Sequence, residues 1–282
     1  MPQTFILTLS CAQRPGIVHA VSSFLLQQNC DISEHKQYDD TQNGAFFLRT
    51  SFVAPDGLEG TELTNRFRHA ATEFGMTFEF DDDEPARVIV MVSRLGHCLN
   101  DLIFRWRAGS LSADIVAVVS NHTDLRPMAQ AAQLPFFHIP VTPATKPQAE
   151  AELLGLVEHY DADLVVLARY MQVLSDEACS ALYGRAINIH HSFLPGFKGA
   201  KPYHQAFDRG VKLVGATAHY VTTDLDEGPI IEQEVIRIDH TYDPARLATV
   251  GRDAEALALS RAVRWHCERR VLLYGSRTVV FS

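Results

Sequence analysis

The chain has 282 residues, 46% of them hydrophobic and 21% charged, which is the composition of a folded globular protein and excludes a disordered one. Its net charge of -9 argues against non-specific nucleic-acid binding, and no apolar run reaches the roughly 20 residues of a membrane-spanning helix. Five dispersed cysteines without a CxxC pair (Cys11, Cys30, Cys98, Cys179, Cys267) fit reduced thiols and neither a disulfide framework nor a structural zinc site. With no basic n-region and apolar core at the start, a cytoplasmic location is expected.

The charge is uneven. Residues 1–85 carry 5 Lys+Arg against 13 Asp+Glu, and the rest 20 against 21. The step falls at Asp81-Asp82-Asp83-Glu84-Pro85, where like charges repel and proline disfavours helix. This predicts a domain over 1–80, a linker over 81–86 and a second domain over 87–282.

In the first part, Phe5–Leu9 reads as a strand, Arg14-Pro15-Gly16 as a turn, and Val18, Val21, Phe24 and Leu25 as one helical face. Gly44–Val53 reads as a strand, Leu63, Phe67 and Ala70-Ala71 as a second helix, and Met76–Phe80 as a closing strand. The expected order is βαββαβ, a ferredoxin-like unit with helices on one face of an antiparallel sheet.

After the linker, Val88–Val92, Ile115–Val119 and Leu164–Ala168 are continuous apolar runs, as in strands buried on both faces of a parallel sheet. Helical segments such as Pro147–His159 separate them. Val214–Val221 and Ile230–Ile238 read as two further strands, and Asp243-Pro244 opens a helix that runs far into the last 40 residues. The expected class is α/β, with a mostly parallel, Rossmann-like second domain.

The chemistry concentrates in two stretches. In Ala186–Pro195 a short apolar strand ends in polar residues, and open α/β sheets bind ligands at strand carboxyl ends. Alternation puts Asn188 and His190 on one face. An amide and an imidazole there suit a carbonyl substrate, one donating to the oxygen, the other stabilising an oxyanion or giving a proton; two strand-end caps are the plain alternative. His190 and His191 are expected on opposite faces, which suits a shared metal poorly. In the second stretch, Gly215–Ile231, three carboxylates crowd Asp224–Glu227 before Gly228-Pro229. One of them could orient an imidazole, or the turn is simply solvated. His219 is either a site residue or a hydrogen-bonded core histidine.

The run Asn188-Ile189-His190-His191-Ser192-Phe193-Leu194-Pro195, followed by Asp226-Glu227-Gly228-Pro229-Ile230-Ile231, resembles the folate-dependent formyltransferase family over about 195 residues. Ser93–Leu99, Gly199–Ala206, Gly251-Arg252-Asp253 and Val271–Thr278 resemble that family's hydrolytic branch. The N-terminal unit resembles an ACT domain, which that branch carries. The resemblance implies an Asn–His–Asp catalytic set, here Asn188, His190 and Asp226. It implies a pterin pocket lined by Arg169, Tyr170, Met171, Gln172, Val173 and Leu174, with His219, Thr223 and Asp224 beside the folate. Met171 and Leu174 could instead be core.

The implied activity is hydrolysis of 10-formyltetrahydrofolate to tetrahydrofolate and formate, serving one-carbon and purine metabolism, with no metal or cofactor. The alternative is formyl transfer to glycinamide ribonucleotide or another amine. Ser93–Cys98 holds one glycine where a phosphate cradle would need more, which favours water, although Arg94 and His97 could still meet an anion. A metal hydrolase and a pure amino-acid sensor are the more distant readings. The ACT-like unit implies a small amino-acid effector at Arg14, Pro15, Gly16 and Ile17, with Gln13 where the family often has Asp, and a homo-oligomer, dimer or tetramer.

Overall fold

The computed structural model describes residues 3–196 and 202–282, so part of the Gly199–Ala206 motif lies outside the described residues. The chain forms two compact units. One gathers the described residues up to Glu84 with Glu268–Leu272 and Val279–Ser282; the other holds Pro85–Cys267 with Leu273–Thr278.

The first unit runs β1 (Gln3–Ala12), α1 (Ile17–Gln27), β2 (Asp31–Asp40), β3 (Ala45–Ala54), α2 (Gly60–Phe74) and β4 (Thr77–Asp82). Its sheet order is β2-β3-β1-β4, all antiparallel, a ferredoxin-like arrangement. Phe5, Leu7 and Leu9 alternate onto one face of β1. They meet Ile17, Val21, Phe24 and Leu25 of α1 and Leu63, Phe67 and Ala71 of α2 at helical spacing. Phe67 is fully buried, with ring centroids 4.9 Å from Phe24, 5.0 Å from Phe78 and 5.7 Å from Phe80. Phe67→Ala should therefore cost about 3–5 kcal/mol, read as an earlier denaturation transition of the full chain.

Two boundaries differ from the sequence expectation. Asp81 and Asp82 close β4 and Ala86 opens β5, so only Asp83–Pro85 lie between the strands. The acidic run tolerates pairing because Arg269 Nε donates to Asp81 Oδ1 at 2.7 Å. The chain also does not divide at one point, because its last segment joins the first unit. Arg49, its side chain 4% exposed, donates from Nε and Nη2 to the Glu268 carbonyl at 3.1 and 2.9 Å and pairs with Glu34. Arg270 Nη1 reaches Glu34 at 3.3 Å, and Lys36 Nζ donates to the Ser282 carbonyl at 2.7 Å.

The second unit runs β5 (Ala86–Val92), α3 (His97–Arg107), β6 (Ala113–Ser120), α4 (Arg126–Ala131), β7 (Phe136–His138), α5 (Lys146–His159) and β8 (Leu164–Leu167). It continues with α6 (Asp176–Ala181), β9 (Ala186–His190), α7 (Pro202–Asp208), β10 (Leu213–Tyr220), β11 (Ile230–Arg237) and α8 (Pro244–Cys267). The sheet order is β11-β10-β9-β8-β5-β6-β7. Strands β7 to β9 run parallel, and β10 and β11 are antiparallel additions. The helix at Pro244 stops at Cys267, and β12 (Val271–Tyr274) with β13 (Arg277–Val280) follows as a hairpin. The chain leaves β5 toward β6 on one side and returns to β8 on the other. This reversal opens a crevice at the carboxyl ends of β5 and β8, where an open sheet binds its ligand.

No helix among the described residues is long and apolar enough to cross a membrane.

Candidate active site

A cavity of about 620 Å³ opens at these strand ends. The structure brings to it every residue expected in the second unit: Arg169 to Leu174, Asn188, His190, His219, Thr223, Asp224 and Asp226. Arg14 to Ile17 belong to the first unit and are not among the cavity's lining residues. There Arg14 sits over the Phe74 ring at 4.4 Å and donates to the Glu73 carbonyl, while Ile17 is core.

Strand alternation sets Asn188 and His190 on one face of β9. Across the sheet, β10 places His219 opposite Asn188. Asn188 Nδ2 donates to His219 Nε2 at 3.2 Å, and His219 Nδ1 donates to the Tyr220 carbonyl at 2.8 Å. His219 is thus both a hydrogen-bonded interior histidine and a cavity residue. It uses one amide N–H of Asn188 and leaves the other. Burial holds its pKa below the ordinary imidazole value.

Asp226 comes from the turn after β10. Its φ of 58° is left-handed, a strained placement for a residue with a side chain. Gly228 makes the turn feasible, since a Cβ there would fall 1.8 Å from the Tyr220 carbonyl oxygen. Asp226 Oδ1 lies 3.2 Å from His190 Nδ1 and 3.8 Å from His219 Nε2. The hydrogen bond from His190 holds the Asp226 carboxyl below the usual range, assisted by the imidazole charges and opposed by burial. With Nδ1 committed to Asp226, His190 keeps Nε2 buried and without a hydrogen-bond partner. An amide N–H and a free imidazole nitrogen thus share one wall, with a carboxylate fixing the ring.

Ser93, at the end of β5, donates to Asn121 Oδ1 at 2.7 Å and accepts from the Met171 N–H at 3.0 Å, fixing the 169–174 stretch. Leu174 is buried core as well as cavity wall, whereas Met171 is 57% exposed, so the core reading fails for it. Burial and the nearby Glu150 push the Tyr170 hydroxyl up to about 12.

His190 and His191 do not point to opposite faces. Strand β9 ends at His190, and the turn brings His191 beside it, ring centroids 5.3 Å apart, so both line the cavity. Burial first, then the Arg169 charge, holds the His191 pKa down at about 4. In the unfolded chain His191 takes up its proton near 6.5. Between about pH 4 and 6.5 the unfolded state therefore binds more protons, and stability should rise with pH in that window. Denaturant titrations across pH 4–7 should show this slope, and His191→Asn should lessen it; an unchanged slope in the variant would refute the assignment.

Sequence reasoning missed three further site residues: Tyr203, Arg252 and Glu255 line the cavity. Glu255 accepts from His97 Nε2 and Tyr203 Oη, each at 2.7 Å, and its Oε2 lies 3.4 Å from Arg169 Nε. Burial opposes the carboxylate, but the His97 bond, the Arg169 charge and the Tyr203 bond together hold its pKa below the ordinary value. Gly251 gives Tyr203 its room, since a Cβ there would meet the hydroxyl at 2.0 Å. Glu255 shows in the sequence only as a charge on the apolar stripe Leu247, Gly251, Ala254, Ala258 and Leu259 of α8. His97, Cys98 and Glu255 form the one three-ligand group among the described residues, their ligand atoms within 4.8 Å of one another. Arg169 already sets a cation against that carboxylate.

A doubly wound sheet with an amide, an imidazole and a carboxylate over an apolar-walled cavity defines an α/β domain that handles carbonyl compounds. Residues 86–263 match the formyl transferase family. The chain is 54% identical over 279 residues to the formyltetrahydrofolate deformylase of Corynebacterium sp. (strain P-1), covering 98% of this chain and 97% of that one. The crystal structure of formyltetrahydrofolate deformylase from Burkholderia mallei superposes with a TM-score of 0.93 at 54% identity, covering all of both chains. Glycinamide ribonucleotide transformylase 1 of Symbiobacterium toebii is more distant, with a TM-score of 0.66 at 29% identity, covering 72% of this chain and 97% of its own. The chain belongs to the formyltetrahydrofolate deformylase family.

Proposed function

We propose that the protein hydrolyses 10-formyltetrahydrofolate to tetrahydrofolate and formate in the cytoplasm, supplying formate for one-carbon and purine metabolism. The observation that carries this reading is His190, its Nδ1 held by Asp226 and its Nε2 free beside Asn188 on the cavity wall. Full-length similarity to deformylases, against partial similarity to a transformylase, favours water as the acceptor.

Water adds to the formyl carbon and its proton passes to Asp226. The free Asn188 N–H and protonated His190 stabilise the oxyanion. His190 then protonates N10, the C–N bond breaks, and the Asp226 proton restores the imidazolium. Formic acid leaves as formate after giving its proton to solvent. The pterin lies along Arg169–Leu174, with Thr223 and Asp224 at the folate's edge. No metal or cofactor enters this chemistry.

The first unit is proposed to regulate and to assemble a homodimer or homotetramer. An amino-acid effector at Arg14–Ile17 would first have to draw Arg14 away from Phe74 and Glu73.

The test is incubation of chelator-treated protein with 10-formyltetrahydrofolate and no amine acceptor. Equal release of formate and tetrahydrofolate over many turnovers is expected. Release only after glycinamide ribonucleotide is added would place the chain among the transferases.

A further inference from the structure

Hydrolysis leaves an anion inside a cavity lined in part by carboxylates. Asp226 and Glu255 both line it, and both are held in the carboxylate form. Formate released there meets repulsion from both, in a setting where charges are weakly screened. His191 and His219 supply no countercharge at neutral pH, because burial keeps them neutral. The permanent cations of the wall are Arg169 and Arg252. Arg252 is exposed, whereas the Arg169 side chain is only 10% exposed.

Arg169 has its charge partly answered and its hydrogen-bonding capacity largely unused. Its nearest carboxylate, Glu255, is 3.4 Å from Nε, and Nε and Nη1 are buried without a hydrogen-bond partner. Buried guanidinium donors are normally satisfied, so donors left over beside a cavity call for a ligand that accepts. The backbone at Arg169 is left-handed, with φ 64°, a costly conformation for a side-chain-bearing residue. The Glu255 carboxylate, itself fixed by His97 and Tyr203, then steadies the guanidinium in the cavity that His190 and His191 also line.

We propose that Arg169, backed by Glu255, forms a subsite for a small carboxylate at the head of the 169–174 stretch, and that its occupant is the product formate. This rests on the hydrolytic reading above. The subsite draws formate away from Asp226 and makes it a product inhibitor that competes with nitrate for one place. Glu255 opposes the anion as well as positioning the arginine, so the two residues act on formate affinity with opposite sign.

The experiment measures direct binding of [13C]formate to folate-free enzyme by NMR line broadening, with nitrate as competitor, and formate inhibition of the hydrolytic rate. Arg169→Gln should weaken formate binding about tenfold or more, the loss of a charge-assisted hydrogen bond. Glu255→Gln should tighten it, which a misfolded variant would not do. Arg252→Gln, at the exposed rim, should change it less than Arg169→Gln. Equal binding in wild type and Arg169→Gln, or weaker binding in a folded Glu255→Gln, would overturn the proposal. Because formate binding is read without substrate, failure of the subsite and failure of the hydrolytic reading are separable. Active enzyme whose formate binding ignores Arg169 refutes only the subsite. Formate binding through Arg169 in a protein that releases no formate refutes only the activity.

Discussion

His190→Ala should lower kcat for formate release by about a hundredfold to a thousandfold, the usual cost of losing one oxyanion donor. The effect should fall on kcat with little change in KM, because the interaction is made in the transition state. Asn188→Ala should fall in the same range, since its free amide N–H points the same chemistry at the same wall. The double variant should lose less than the product of the two single losses, as groups that act as a unit do. Single-turnover measurements of formate release check all three. A His190→Ala enzyme that keeps most of its rate would remove His190 from the chemistry.

Asp226→Asn should cost about a hundredfold to ten-thousandfold in kcat, through loss of the proton acceptor and of the ring's orientation. It also makes a pH prediction. Asp226 is held below its ordinary pKa, chiefly by the His190 hydrogen bond. A depressed carboxyl contributes stability that is fully present above its unfolded value, about 3.9, and is lost as pH falls through the folded value. Wild type should thus exceed Asp226→Asn in stability at pH 5 and above, and the two should converge on acidification. Guanidinium titrations from pH 2 to 6 check this, and parallel curves for the two proteins would refute it. In the wild-type rate profile, Asp226 is already ionised throughout pH 5–8, so any acid limb there belongs to another group.

The parts of the fold that announced themselves were those whose burial follows a simple period. Val88–Val92 of β5, Ile115–Val119 of β6 and all of β8 are apolar because both faces are covered, and β1 and α2 show their periods cleanly. Strand β2, Asp-Ile-Ser-Glu-His-Lys-Gln-Tyr-Asp-Asp, is an edge with mostly exposed side chains, so no apolar run marked it. The 81–86 linker was overdrawn because repulsion within an acidic run is a local argument. Its neutralising partner, Arg269, lies 188 residues away.

The same division holds in the cavity. Asn188, His190 and Asp226 stand at strand ends and in a turn, where polar residues interrupt apolar runs. Glu255 and Tyr203 come from helices, and what joins them is tertiary: His97, Gly251 and Arg169 have no common spacing. His191 was misplaced because alternation holds only while the strand lasts, and β9 ends one residue earlier.

The return of the C-terminal segment to the first unit has a consequence for synthesis. Arg49 is buried against the Glu268 carbonyl, 219 residues further along. At roughly 5–20 residues per second, that partner emerges on the order of ten to forty seconds later. The ferredoxin-like unit is therefore first to leave the ribosome and last to be finished. Until then Arg49 lacks the Glu268 carbonyl and Asp81 lacks the Arg269 guanidinium. A nascent chain stalled within α8 would carry an intact α/β sheet and an uncompleted N-terminal unit, and a stop codon in the last fifteen or so codons should be felt at the opposite end of the polypeptide.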